Sequence, residues 1–409
     1  MKIKLQLLLW SLVLVLVSAC SDNDDPKIPD PPAKGEERTV LALWVGQNDL
    51  SAYAISDFNE MVEGITNVDV TKNNLVVYCD TQQDAPQLIH ISKSDGKVVA
   101  DTIYTYNEQN SLKKEVMSDI ISKVVAEFPA KSYGLTFASH ADGWMESANA
   151  ATRHLGDYNS TNMNITDLRE VLESFPRFEF ILLDACYMQA IEVAYELRNC
   201  ADYIIGSPTE IPGPGAPYQK VVPQMFTTTN VAENIARAYY DYYGNGDGTI
   251  KADAKYTYEG VGKLWPYGVS VSVLKTSELN TLAKATENIL SQYAGNRANI
   301  NANSSSWFYY GYAKGKGGTT NYYDLDELIR RITGANEDYN EWRILFDGAQ
   351  SYFETTKTNF AERINGYYSS MEGAEGLSVY IPQEGSSILN FYRNLEIYTE
   401  GKVWQSSGW

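Results

Sequence analysis

Residues 178–190 read FEFILLDACYMQA, and the fold turns on how that stretch is read. Its first six residues form a short, nearly continuous apolar run with no helical period, the pattern of a strand buried on both faces of a sheet. A carboxylate, a small residue and a thiol then follow at Asp184, Ala185 and Cys186. Such a strand has its neighbours on either side. Upstream lie a strand in YGLTFASH (133–140), a polar loop to about Asn164 and a helix in TDLREVLESF. Downstream lie a helix in MQAIEVAYELRN and a strand in ADYIIGS. Strands alternating with helices predict right-handed crossovers and a mostly parallel sheet covered on both faces.

The same alternation extends towards the N-terminus. RTVLALWVGQNDLSAYAISDFNEMVEGI gives strand, turn at Gly46 to Asp49, and helix, with apolar residues at Tyr53, Phe58, Met61, Val62 and Ile65. NNLVVYCD and QLIHIS are strands, VVADTIYTY closes a hairpin with the second, and SLKKEVMSDIISKVVAEF is an amphipathic helix with Ser111 as its expected N-cap. Towards the C-terminus helices and strands continue to EGLSVYIP, where Pro382 stops the last strand. The aromatic segment from Trp307 to Tyr323 reads either as the lining of a groove or as surface aromatics. NGDG at Asn245 to Gly248 lacks the spacing of a calcium loop and reads as a turn.

With 409 residues, 44% hydrophobic and 21% charged, the chain can bury a full core, and its formal charge of −19 would repel phosphate. Nucleic acid is an unfavourable partner. Lys2 and Lys4 precede the apolar run LQLLLWSLVLVLV, which is too short to span a membrane comfortably and is followed by SAC. LVSAC resembles the lipobox of bacterial lipoproteins, with Cys20 as the lipidated residue; a plain secretory signal is the alternative. The expected organisation is a signal over 1–20, an acidic, proline-rich tether over 21–37, a catalytic core over 38–270 and an α/β extension over 271–409 that packs on or completes the core. An exported protein, lipid-anchored to the outer membrane and exposed at the cell surface, fits this N-terminus.

With Cys20 set aside, Cys79, Cys186 and Cys200 remain, and three thiols cannot all pair within one chain. No CxxC pair occurs, and His90, His140 and His154 lack metal-ligand spacing, so no metal site is expected. In parallel sheets reactive groups gather at the carboxyl ends of strands. His140 and Cys186 each stand at such an end, 46 positions apart, so they would share one edge. A thiol is nucleophilic as thiolate, and a nearby imidazole supplies the shift that makes it so. Strand alternation sets Asp184 and Cys186 on one side of the sheet, where the carboxylate could floor a pocket for Arg or Lys. The alternative is a structural ion pair for Asp184 and a core position for Cys186.

Five ordered motifs bear on that choice: TVLALWVGQNDL followed by DFNEM, YGLTFASHADGW, LLDACYMQ, YIIGSPTEIPGPG and GLSVYIP. Together they resemble the clostripain family of cysteine peptidases, within the caspase-like clan, over roughly residues 38–382. The resemblance implies a caspase-like α/β/α sandwich with a C-terminal α/β extension, and a cysteine endopeptidase acting on protein or peptide substrates. It implies His140 as general base and acid, Cys186 as nucleophile, the amides of Ala141 and Cys186 as oxyanion hole, and Asp184 as selector of a basic side chain. Where relatives carry an aromatic and an acid after PGPG, this chain has Ala216 and Pro217, so a second pocket acid is missing there. Some relatives cut themselves between histidine and cysteine, which makes Arg153 the expected self-cleavage site. No cofactor is required, although some relatives need calcium. A non-catalytic surface lipoprotein that binds peptides or glycans on the same scaffold is the other class of function considered.

Overall fold

A computed structural model describes residues 36–145, 155–158, 161–211, 213–258, 261–265, 267–299, 308, 310, 322–361, 367–382, 385–386 and 388–405. The signal, the tether up to residue 35, Cys20, Arg153, His154 and most of the aromatic segment lie outside the described residues.

The strands that build the main sheet are β1 (Glu36–Gly46), β2 (Asn73–Thr81), β3 (Gln87–Ser94), β4 (Lys97–Thr105), β5 (Ala130–Ala138), β6 (Phe178–Asp184), β7 (Ala201–Gly206), β8 (Ser270–Lys275) and β9 (Gln350–Thr355). Their spatial order is β9-β8-β7-β6-β5-β1-β2-β3-β4. The five central strands run parallel, and antiparallel strands extend the sheet at both edges. The hairpin read from VVADTIYTY is β3–β4.

Helices cover both faces because the central strands are apolar on both. Phe180 and Leu182 of β6 point into a core shared with α1 (Ser51–Gly64), α5 (Tyr218–Met225) and α6 (Val231–Tyr243). Ile181 and Leu183 point the opposite way, towards α2 (Lys114–Glu127), α3 (Ile165–Leu172), α4 (Ile191–Glu196), α7 (Leu279–Gln292), α8 (Leu325–Thr333) and α9 (Glu337–Ala349). Each fully buried Leu, Ile or Phe contributes about 1.5–3 kcal/mol of burial energy. This is a three-layer α/β/α sandwich.

The C-terminal region shares this architecture, since β8 and β9 extend the same sheet. It is also tied to the core by charge: Arg169 and Arg198 both bind Glu396, and Arg198 reaches Glu400. Trp404 donates its indole N–H to the Tyr380 carbonyl at 3.0 Å and its backbone N–H to Glu287 at 2.9 Å.

Three local expectations need correction. Ser111 does not cap α2, which begins at Lys114; its hydroxyl instead bonds Asp80 and lies 2.7 Å from the Tyr78 hydroxyl, a buried network that outcompetes the cap. Of the described members of the aromatic segment, Tyr310, Tyr322 and Tyr323 are fully buried, their rings filling the core beside α8 rather than a groove or the surface, while Phe308 is half-buried against the same core. Asp184 and Cys186 do not share a face. The strand ends at Asp184 and the chain turns through Ala185 to Tyr187, so alternation stops before the thiol. Asp184 enters the layer of α5 and α6, whereas Cys186 packs against the opposite core.

Candidate active site

The carboxyl ends of β1, β5, β6 and β7 meet at one edge, and each carries a loop into the same region. After β5 come Ser139 and His140, and Ser139 donates to the Val45 carbonyl at 2.7 Å, which locks this loop to the end of β1. Ala138 pairs with Asp184 in the parallel register of β5 and β6. Two residues further along both chains stand His140 and Cys186. Neighbouring strands lie about 4.8 Å apart, so the loops that carry His140 and Cys186 leave the same rim from adjacent strands. The Gly143 N–H donates to the Cys186 carbonyl at 3.3 Å, which ties the loops together beyond the strands. Gly143 sits at φ +61°, and a Cβ there would come within 2.8 Å of the Tyr322 ring and 3.0 Å of the Tyr187 carbonyl. Only glycine fits that approach.

Cys186 is half-buried, so its sulfur is not sealed in the core. Its Sγ accepts the Ile211 N–H at 3.2 Å and lies 3.5 Å from the Ile211 carbonyl. Tyr187, next in the chain, adopts a left-handed φ of 60°, an uncommon conformation for a bulky residue that turns the chain sharply away from β6. Tyr187 is held by its N–H on the Thr209 carbonyl at 3.0 Å, its hydroxyl on Glu210 at 2.9 Å, and a stacked contact with Tyr322 at 4.6 Å.

The other thiols have a different setting. Burial pushes Cys79 up to about 12, with nearby Asp80 adding to the effect. Burial likewise raises Cys200, whose sulfur is covered by α3. Neither meets the condition for a nucleophile. No disulfide forms among the described residues.

His140 has a partner that the sequence reading missed. Its Nε2 lies 2.5 Å from Asp49 Oδ1, the histidine side chain being 9% and the aspartate 70% exposed. Asp49 is presented by the turn after β1, where the Asn48 side chain accepts the Leu50 N–H at 2.8 Å. The turn formers Gly46 to Asp49 were visible in the sequence, but their neighbourhood with His140 depends on β1 lying next to β5.

Asp184 is 6% exposed and accepts hydrogen bonds from the Ala216 N–H at 2.9 Å, the Tyr218 hydroxyl at 3.0 Å and the Tyr239 hydroxyl at 3.3 Å. It makes no ion pair among the described residues, so the structural salt bridge considered above is replaced by neutral donors. Burial raises its pKa to about 6, against the lowering effect of those three bonds. Gly215, at φ +53°, lies directly over it: a Cβ there would fall 2.5 Å from Oδ2. Of the expected oxyanion donors, Ala141 is buried in the loop after β5 and Cys186 heads the turn after β6.

A sequence profile of the clostripain family matches residues 43–409. The chain belongs to the clostripain family. It is therefore a cysteine endopeptidase. A secreted C11 cysteine protease from Bacteroides thetaiotaomicron, solved with an irreversible peptide inhibitor, is 40% identical over 90% of this chain and 99% of its own, with a TM-score of 0.78. An inactive zymogen C11 protease from Parabacteroides distasonis is 32% identical over 90% and 98% of the two chains, with a TM-score of 0.74. Iotapain, another secreted C11 protease from Bacteroides thetaiotaomicron, shares the fold at 20% identity and a TM-score of 0.74 over 90% and 99%. Comparison with curated protein sequences returns no significant match. A substrate of protein or peptide and an exported location accord with these clostripain-family relatives. Among the described residues no helix is long and apolar enough to cross a membrane.

Proposed function

We propose that this clostripain-family enzyme cleaves peptide bonds after Arg or Lys with a His140/Cys186 dyad. The observation that supports the reading is the β5–β6 register, in which Ala138 pairs with Asp184, so that His140 and Cys186 each follow the carboxyl end of one of two neighbouring strands. The irreversible peptide inhibitor bound by the 40% identical relative accords with a reactive nucleophile in that fold.

His140 takes the Cys186 proton, and the thiolate attacks the scissile carbonyl. The amides of Cys186 and Ala141 hold the oxyanion, and the leaving amine departs with a proton from His140. Water then attacks the thioester with His140 as base, releasing the acid and restoring the thiol. Asp49, accepting from Nε2, holds the ring in the tautomer with its lone pair on Nδ1 and stabilises the imidazolium that forms. Asp184 attracts the basic side chain before the scissile bond. The steps need no metal or organic cofactor. Export with a lipid anchor at Cys20 in the outer membrane, and self-cleavage at Arg153, complete the proposal.

The test is a fluorogenic panel with Arg, Lys, Asn, Asp and Gly before the leaving group. Turnover confined to Arg and Lys, and abolished in both Cys186→Ala and His140→Ala, is the expected result. Full activity in either variant would remove the dyad, and equal turnover across the panel would remove the basic preference.

A further inference from the structure

The proposed pocket lacks the second acid expected after Gly215, yet the helical layer that Asp184 enters holds another buried carboxylate. Asp57, on α1, is 2% exposed, and its Oδ2 has no hydrogen-bond partner among the described residues. An unpaired buried carboxylate is costly, and one beside like charges more so. The charged groups acting on Asp57 are Glu60 and Asp184, while those acting on Glu60 are Glu63 and Asp184. Cys79 from β2 and Tyr218, Tyr239 and Tyr243 from α5 and α6 also face Asp57. None of these groups is a cation. Tyr218 links the acids, giving its backbone N–H to Glu60 at 3.0 Å and its hydroxyl to Asp184 at 3.0 Å. The cluster thus has three carboxyls, one orphaned acceptor and no cation among the groups acting on it.

We propose that Asp57 is the second carboxylate of the basic-residue pocket, acting with Asp184 on the positive end of a bound Arg or Lys side chain. This deepens the proposed Arg/Lys preference and rests on it. Burial, with Glu60 and Asp184 adding to it, holds the Asp57 carboxyl well above the usual carboxylate range. A cation entering the cluster favours the ionised form and so lowers that pKa, which makes binding proton-linked. The acid missing at Pro217 is thereby replaced from a different element, the helix after β1.

The experiment compares the intact enzyme with Asp57→Asn, an isostere that keeps a polar side chain. KM for Arg and Lys peptides should rise about tenfold or more in the variant, with a smaller change in kcat. Titration of the Cys186→Ala protein with benzamidine across a pH series, in buffers of different ionisation enthalpy, should show proton release. That release should diminish when Asp57→Asn is added. Stoichiometric iodoacetamide labelling of Cys186 in Asp57→Asn establishes that the site is assembled, and Asp57→Ser serves if the asparagine variant misfolds. Unchanged KM and unchanged proton release would overturn the role of Asp57 alone. A wild-type enzyme with no preference for Arg or Lys would overturn the parent reading and this inference with it.

Discussion

Replacing Asp184 by Asn should make the protein more stable at alkaline pH while impairing cleavage after basic residues. The carboxyl is buried, and its pKa of about 6 stands above the ordinary 3.8 of an unfolded chain. Because the folded state holds this proton more tightly, unfolding releases it between the two values, and stability falls as pH rises through that window. Below about 4 the penalty is absent; above about 6 to 7 it is complete. At 1.36 kcal/mol per pKa unit the full penalty is about 3 kcal/mol. Asparagine removes it but surrenders acceptor capacity: three donors now converge on Asp184, and an amide oxygen serves two of them. A hydrogen bond lost here costs about 1 kcal/mol, which leaves a net gain of roughly 1–2 kcal/mol at pH 8 and a small loss at pH 4. The assay is urea unfolding of Cys186→Ala and Cys186→Ala/Asp184→Asn across pH 4 to 8, the common background preventing self-digestion. The difference between the variants separates Asp184 from Glu192, whose pKa burial also raises to about 8 and on which Asp184 does not act. A difference that stays constant with pH would refute the claim that Asp184 is a buried, destabilising acid retained for binding.

The other predictions follow from the rim and its supports. His140→Ala and Cys186→Ala should each abolish turnover while shifting the unfolding temperature little, and one equivalent of iodoacetamide should modify Cys186 while Cys79 and Cys200 remain unlabelled. Asp49→Asn should lower kcat about tenfold with KM nearly unchanged, the modest size reflecting solvent screening of an aspartate that is 70% exposed; an unaltered kcat would show that the Nε2 contact does not position the ring. Gly215→Ala should cost about 1–3 kcal/mol, because it combines a left-handed backbone with a Cβ placed 2.5 Å from Asp184, and it should depress cleavage after Arg and Lys more than it lowers stability at pH 8; normal kinetics would separate Gly215 from the pocket.

The central fold was legible because parallel strands buried on both faces leave continuous apolar runs, and the helices between them leave a different period. FEFILL, LALWV and LVVY announce β6, β1 and β2 for that reason. The thiol and imidazole were legible as well, since both follow directly after such strands. The alternation rule failed at Cys186 because it holds only while the chain stays extended, and Tyr187 turns it through a left-handed residue.

By itself, then, the sequence determined the layered α/β architecture and the two loops that carry sulfur and imidazole, because both are written in local periodicity. Tertiary structure decided which distant residues attend them. Asp49 reaches His140 across 91 positions, and Asp57, Asp184, Tyr218 and Tyr239 converge from four elements. Such encounters depend on strand order and helix packing, whose energies arise from contacts between segments that no single stretch of chain encodes.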